Sequence, residues 1–167
     1  MREVSRAGND PAFLLKALGE AAGEASGLLS GVPRRFLLQK GTGFNEDWCL
    51  LSLAVHLRNV EQGFVRQLDA FFEQSVPRLR HVDTGDVPIE ADYRHEDEDE
   101  ILEELHYLRR HTTYFLWGLH SSEWGLKAEH PFRGRITLLD VAKVMYEHDL
   151  EHLWQARRIL EEIQKSI

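Results

Sequence analysis

Leu138, Val141, Met145, His148, His152, Ala156, Ile159 and Ile163 recur at steps of three and four, so one unbroken apolar stripe runs the length of a long amphipathic helix. A stripe of that length has to be buried against other helices, and it carries two histidines inward with it. His148 and His152 lie one turn apart on the same face, about 6 Å between Cβ atoms, so both rings can reach one divalent cation. Two imidazoles on a core stripe need partners for their ring nitrogens. Either they are core histidines bonded to carboxylates or carbonyls, or they share a metal.

Three further segments carry the same periodicity, and no stretch alternates strictly enough to compete as a strand. The first opens at Asp10-Pro11, a capping residue with proline at the first helical position, and runs through Leu14, Leu18, Ala21, Ala25 and Leu28 until Gly31 and Pro33 end it. The second spans about residues 46–72. On it Cys49, Leu53, His56, Val60 and Phe64 fall in register, which turns His56 inward as a third imidazole. The third spans 97–119 with Ile101, Leu105, Leu108, Thr112, Phe115 and Leu119 on one side, and the fourth spans 137–163. The acidic run Glu96–Glu100 at the start of the third helix reads as a solvated, dipole-favoured N-terminus rather than a cation site.

Residues 32–45 and 120–136 are moderate loops, whereas 74–96, with Pro77, Gly85 and Pro88, is long for a compact domain. Such a link can cross the molecule and let the second and third helices run parallel. The expected fold is therefore all-α: one domain over residues 1–167, a four-helix bundle that is not a simple up-down-up-down meander.

Composition narrows the partners. With 28 acidic and 20 basic residues the net charge of −8 repels phosphate backbones, and the arginine pairs 34/35, 109/110 and 157/158 are scattered, so no nucleic acid is expected. One cysteine excludes an internal disulfide, no apolar run approaches membrane-spanning length, and no signal peptide is evident, which points to a cytoplasmic protein.

Two known metal signatures fail on this chain. His148-x-x-Glu151-His152 fits the inverted zinc-protease pattern, but only 15 residues follow His152 and they continue the same helix, so a third ligand must come from upstream. A di-iron carboxylate bundle needs inward Glu-x-x-His motifs; Glu103-x-x-His106 lies off its stripe, and so does Asp149. The remaining candidate is a mononuclear site of His56, His148 and His152. Three neutral imidazoles suit zinc, nickel, iron or cobalt and leave positions open for water or substrate, as in catalytic rather than structural sites. Cys49, two turns before His56, is read as a small buried hydrophobe ahead of a fourth ligand.

The chain resembles the DinB-like (DinB/YfiT-like) family of metal-dependent hydrolases. The matching residues are Trp48, Leu53-Ala54-Val55-His56-Leu57 and Glu61; Pro77-Arg78-Leu79 through Asp92-Tyr93; Arg109 to Leu116 and Leu119; and His130-Pro131-Phe132-Arg133-Gly134-Arg135-Ile136-Thr137-Leu138 leading into His148-Asp149-Leu150-Glu151-His152. The resemblance covers about residues 10–163. It implies up-down-down-up connectivity, a homodimer, and a divalent ion on histidines matching His56, His148 and His152. Members with assigned activities include bacillithiol S-transferases and mycothiol-dependent maleylpyruvate isomerase, which implies a low-molecular-weight thiol as partner. Arg109 matches the family's helix-three arginine and is the candidate substrate-binding residue, against the alternative of an ion pair with a neighbouring helix.

Thiol S-transfer is accordingly the favoured reaction. A hydrolase that uses the cation to make hydroxide is the alternative, with Glu151 and Glu61 as the nearest carboxylates for a base. A protein that senses or stores a metal without turnover is the third reading. Asp149 or Glu61 is expected to orient an imidazole. Trp117, Trp124 and Trp154 are expected in core or interface, with Trp154 facing a second subunit.

Overall fold

In the computed structural model, which describes residues 9–167, four long helices form the body of the protein. They are α1 (Pro11–Leu29), α3 (Leu50–Glu73), α5 (Glu98–Trp117) and α6 (Leu138–Lys165); α2 (Arg34–Leu37) and α4 (Glu90–Tyr93) are single turns in the connections. Asp10 caps α1 by accepting from the Ala12 N–H at 3.0 Å, with Pro11 in the first turn as expected. Thr137 and Asp140 form a reciprocal capping box at the start of α6: Asp140 accepts from the Thr137 N–H at 2.8 Å, and Thr137 from the Asp140 N–H at 3.2 Å. Asp97 caps α5, so the acidic run there does serve the helix terminus.

The second bundle helix starts later than its periodicity suggests. A 3₁₀ turn at Gly43–Asn45 and an extended link through Trp48 precede it, and Cys49 is its N-cap, with Sγ accepting from the Ser52 N–H at 3.4 Å. Apolar spacing continued back through Cys49 because that residue is buried, not because it is helical.

The expectation of no strands is corrected by a small antiparallel hairpin. Strand β1 (Lys127–His130) pairs with β2 (Gly134–Thr137), Ala128 opposite Ile136. Each strand has four residues and one buried side chain, too short to display a two-residue period. Gly134 takes a left-handed φ of 70° at the turn. The start of the long connection joins the hairpin: Leu79 donates to the Glu129 carbonyl at 2.9 Å, and Glu129 donates to the Pro77 carbonyl at 2.8 Å.

Helix α1 packs on α5 and α6, and α3 packs on the same two, so the helices adjacent in sequence, α1 with α3 and α5 with α6, sit diagonally. A simple meander would make them neighbours. Two hydrophobic clusters fill the bundle. One gathers Leu29, Leu53, Leu105 and Ile159, the other Leu14, Phe64, Leu116 and Met145. Between them lies a buried polar layer of His56 and Glu61 from α3, Arg109 and Thr112 from α5, and His148, Asp149 and His152 from α6. Burying so many polar groups is unfavourable unless each finds a partner.

Candidate metal centre

His56 projects from the middle of α3, and His148 and His152 from successive turns of α6. All three are buried, and one ligand nitrogen from each lies within 4.8 Å of the other two. The Nε2 atoms of His56 and His148 are 2.9 Å apart, close to the roughly 3.3 Å that two imidazoles adopt on a tetrahedral zinc with bonds near 2.0–2.1 Å. Trp48 lies against His56 and His152 with ring centroids 5.2 and 5.4 Å away, and Phe64 lies 6.3 Å from His148, so aromatic walls fix the rings.

Hydrogen bonding alone does not satisfy this group. A single N–H can bridge the Nε2 atoms of His56 and His148, yet His152 Nε2 is fully buried with no partner. On its other side His152 Nδ1 donates to the Gln155 side-chain oxygen at 2.8 Å, which leaves the Nε2 lone pair aimed at the cluster. A divalent ion accepts all three lone pairs at once. The residues present therefore fit a metal, and the chemistry of the donor set, three neutral imidazoles, is that of a late divalent ion.

Electrostatics keep the rings unprotonated. Burial, then the neighbouring His152, lowers the pKa of His56 to about 4, and burial, His152, His56 and Arg109 together lower that of His148 to about 2. Burial lowers His152 as well, against the pull of Gln155. These rings are neutral in the folded chain but titrate near 6.5 once unfolded, so below that pH the unfolded state binds more protons. Stability of the metal-free protein is thus intact above pH 6.5 and declines as pH falls toward 4 and below. Urea midpoints of chelator-treated protein at pH 7.5, 6 and 5 should decrease in that order, and a flat profile would contradict neutral buried rings.

Beneath the rings, Arg109 ties the four bundle helices together. From α5 its Nε and Nη2 donate to Glu61 of α3 at 3.0 and 2.9 Å, its Nη1 and Nη2 to Asp149 of α6 at 2.7 and 2.8 Å, and its Nη1 also to the Leu18 carbonyl of α1 at 2.8 Å. Thr112 donates to Glu61 at 2.7 Å. Burial disfavours the guanidinium charge, but Glu61 and Asp149 outweigh it and raise its pKa. Burial pushes the Asp149 carboxyl up, with Arg109 pulling the other way.

This arrangement corrects the substrate-binding expectation for Arg109. Its five N–H groups are all committed and it is 4 % exposed, which leaves no donor for a ligand. Glu61 and Asp149 are held by the same guanidinium, and neither bonds an imidazole in place of Gln155. Glu151 is exposed on the outer face of α6. Gln155 lies three residues from His152 on the same face, but an amide beside an apolar stripe carries no sequence signal of its own. His106, off the stripe as expected, bonds Ser26 at 2.7 Å. Trp124 is buried, whereas Trp117 and Trp154 are exposed, the latter beneath Arg158.

Among solved structures, YfiT from Bacillus subtilis, described as a probable metal-dependent hydrolase with an unusual four-helix bundle topology, is similar. The TM-score is 0.79 at 14 % identity, over 92 % of this chain and 87 % of that one, a likeness of fold. No curated protein matches the chain. The family model of the DinB superfamily matches residues 17–156, a span that holds all three histidines and the Arg109 cluster, and the chain belongs to that superfamily.

Proposed function

We propose that this chain is a metal-dependent enzyme acting on a small molecule, with His56, His148 and His152 holding one divalent ion of zinc, nickel, iron or cobalt. The observation that carries the reading is the convergence of three neutral imidazoles on one point with the His152 Nε2 lone pair otherwise unmet. When bound, such an ion supplies Lewis acidity that deprotonates a thiol or lowers the pKa of water toward neutrality. The protein's share is positional. Gln155 sets the His152 tautomer, and Trp48 and Phe64 hold the rings and keep bulk water off them.

Transfer to a low-molecular-weight thiol is the favoured reaction because the carboxylates suggested as bases are engaged or remote. Glu61 and Asp149 are locked on Arg109, and Glu151 faces solvent. A thiol whose proton leaves to solvent needs no protein base. Its sulfur attacks the electrophilic carbon, the new S–C bond forms as the carbon–halogen bond breaks, and halide departs. The test is incubation of the metal-loaded protein with cysteine or a glycoside thiol and monochlorobimane. Metal-dependent growth of the fluorescent thioether, abolished in His152→Ala, supports transfer, and no growth above the uncatalysed rate opposes it.

Hydrolysis is the second reading, supported by the likeness in fold to YfiT, described as a probable metal-dependent hydrolase. Metal-dependent ester cleavage with no thioether formed would favour it over thiol transfer.

The diagonal placement of α1 against α3 supports an up-down-down-up order with residues 74–97 crossing the bundle. The exposed Trp154 supports a homodimer. No helix among the described residues is long and apolar enough to cross a membrane.

A further inference from the structure

Carboxylates outnumber basic groups 28 to 20 in this chain, so an arginine readily finds a counter-charge. Arg34, Arg58, Arg94, Arg135 and Arg157 each hold one. Arg66, Arg78 and Arg80 do not. Among the described residues no carboxylate pairs with their guanidinium groups, although all three line one cleft of about 410 Å³ between the C-terminal half of α3 and the start of the long connection.

A forced reversal of the chain builds this cleft. After α3 ends at Glu73, Val76 takes a left-handed φ of 46°, unfavourable for a β-branched residue, and the chain returns along the helix it has just left. Two contacts seat the returning segment. The buried Gln67 amide donates to the Arg80 carbonyl at 2.7 Å, and Val82 rests on Gly63, where a Cβ would stand 2.8 Å from its methyl. On the other side the Leu79 N–H donates to the Glu129 carbonyl of the hairpin at 2.9 Å. The arginines are thus carried on backbone that is fixed from both sides.

The carboxylates beside the cleft are mostly engaged elsewhere. Asp69 lines it but shares a hydrogen bond of 3.4 Å with His111 of α5, and Glu129, whose backbone bridges to Arg78, accepts from Arg135 at 2.8 Å. Among the described residues that leaves Glu73 as the one uncommitted carboxylate on the cleft, against three guanidinium groups. A guanidinium keeps its charge at any working pH, and its planar fork of N–H donors matches the paired oxygens of a carboxylate or phosphate. The volume is that of a small-molecule site. We propose that this cleft binds a small molecule bearing two or more anionic oxygens, a polycarboxylate or a phosphate, with Arg66 reaching it from α3 and Arg78 and Arg80 from the opposite wall. None of these residues belongs to the histidine cluster, so the inference stands apart from the metal-binding reading.

Calorimetric titration with inorganic phosphate, pyrophosphate, malonate and citrate tests the proposal. The protein is first treated with chelator, so that no ion on the histidines contributes to the signal. At least one of the four is expected to bind saturably with one equivalent, and which of them binds separates phosphate from carboxylate recognition. Arg66→Gln and Arg80→Gln should each weaken that binding by about tenfold or more, the loss expected for a hydrogen bond to a charged group. Both side chains are exposed, so the helical circular dichroism should not change. Arg110→Gln removes an exposed arginine of α5 that lies outside the cleft, and its affinity should equal that of wild type. In NMR spectra the Nε–H signals of Arg66 and Arg80 should shift on addition of the anion and that of Arg110 should not. Absence of saturable binding for all four anions overturns the site. So does binding that survives both cleft variants, or an equal loss in Arg66→Gln and Arg110→Gln, which is the mark of diffuse charge attraction. Each of these outcomes leaves the three-histidine reading untouched.

Discussion

Arg109→Leu is expected to destabilise the protein by about 3–5 kcal/mol, the cost of stranding a buried charge whose partner is removed. Two carboxylates, Glu61 and Asp149, are nearly inaccessible to water and both depend on the one guanidinium. Without it they must either stay ionised with no counter-charge or take up protons at neutral pH, and both are unfavourable. A domain of this size is typically stable by about 5–15 kcal/mol, so the variant should fold marginally. Its urea midpoint should fall steeply, and the loss should be greatest at neutral and alkaline pH, where the stranded carboxylates are charged. Arg109→Lys should recover only part, because an ammonium cannot reproduce the five-donor fork that engages Glu61, Asp149 and the Leu18 carbonyl together. Adding Glu61→Gln and Asp149→Asn to Arg109→Leu should recover much of the stability. If Arg109→Leu instead folds as wild type and weakens only ligand binding, the cluster is not structural and the substrate-binding role returns.

The bundle and the three histidines were legible in the sequence because both are written in helical periodicity. His56, His148 and His152 each lie on a stripe otherwise made of apolar residues, and the period alone turns them inward. Arg109 and Asp149 were harder to read because Arg109 lies beside an apolar stripe and Asp149 reads as off its own. In the folded protein they enter the core through their partners: Arg109 reaches three neighbouring helices with a long side chain, which a period of 3.6 does not record. The hairpin was missed for a related reason. Ala128 and Ile136 are its inward residues, and its pairing with Pro77–Leu79 links segments far apart in sequence, Leu79 with Glu129. Trp48 owes its place against the histidine rings to an extended link and a Cys49 cap, a break that apolar spacing conceals.

His56→Ala should lower metal affinity by on the order of 10²–10³-fold while leaving the bundle folded. Four-ligand structural zinc sites bind with about 10–16 kcal/mol, or roughly 2.5–4 kcal/mol per ligand, and loss of one imidazole removes a share of that order. His148 and His152, both on α6, would remain as a one-turn pair, enough for weak binding. His56 is the informative position because it is the triad's link to α3; without it the ion no longer joins two helices. Two consequences follow. Titration monitored by calorimetry should show stoichiometric binding in wild type and weak binding in the variant. Stabilisation by added metal, which grows with the ratio of free ion to dissociation constant, should nearly vanish at a concentration that raises the wild-type midpoint. Equal metal affinity in the two proteins would show that the ion sits elsewhere, and the three rings would then be a buried polar layer and not a metal site.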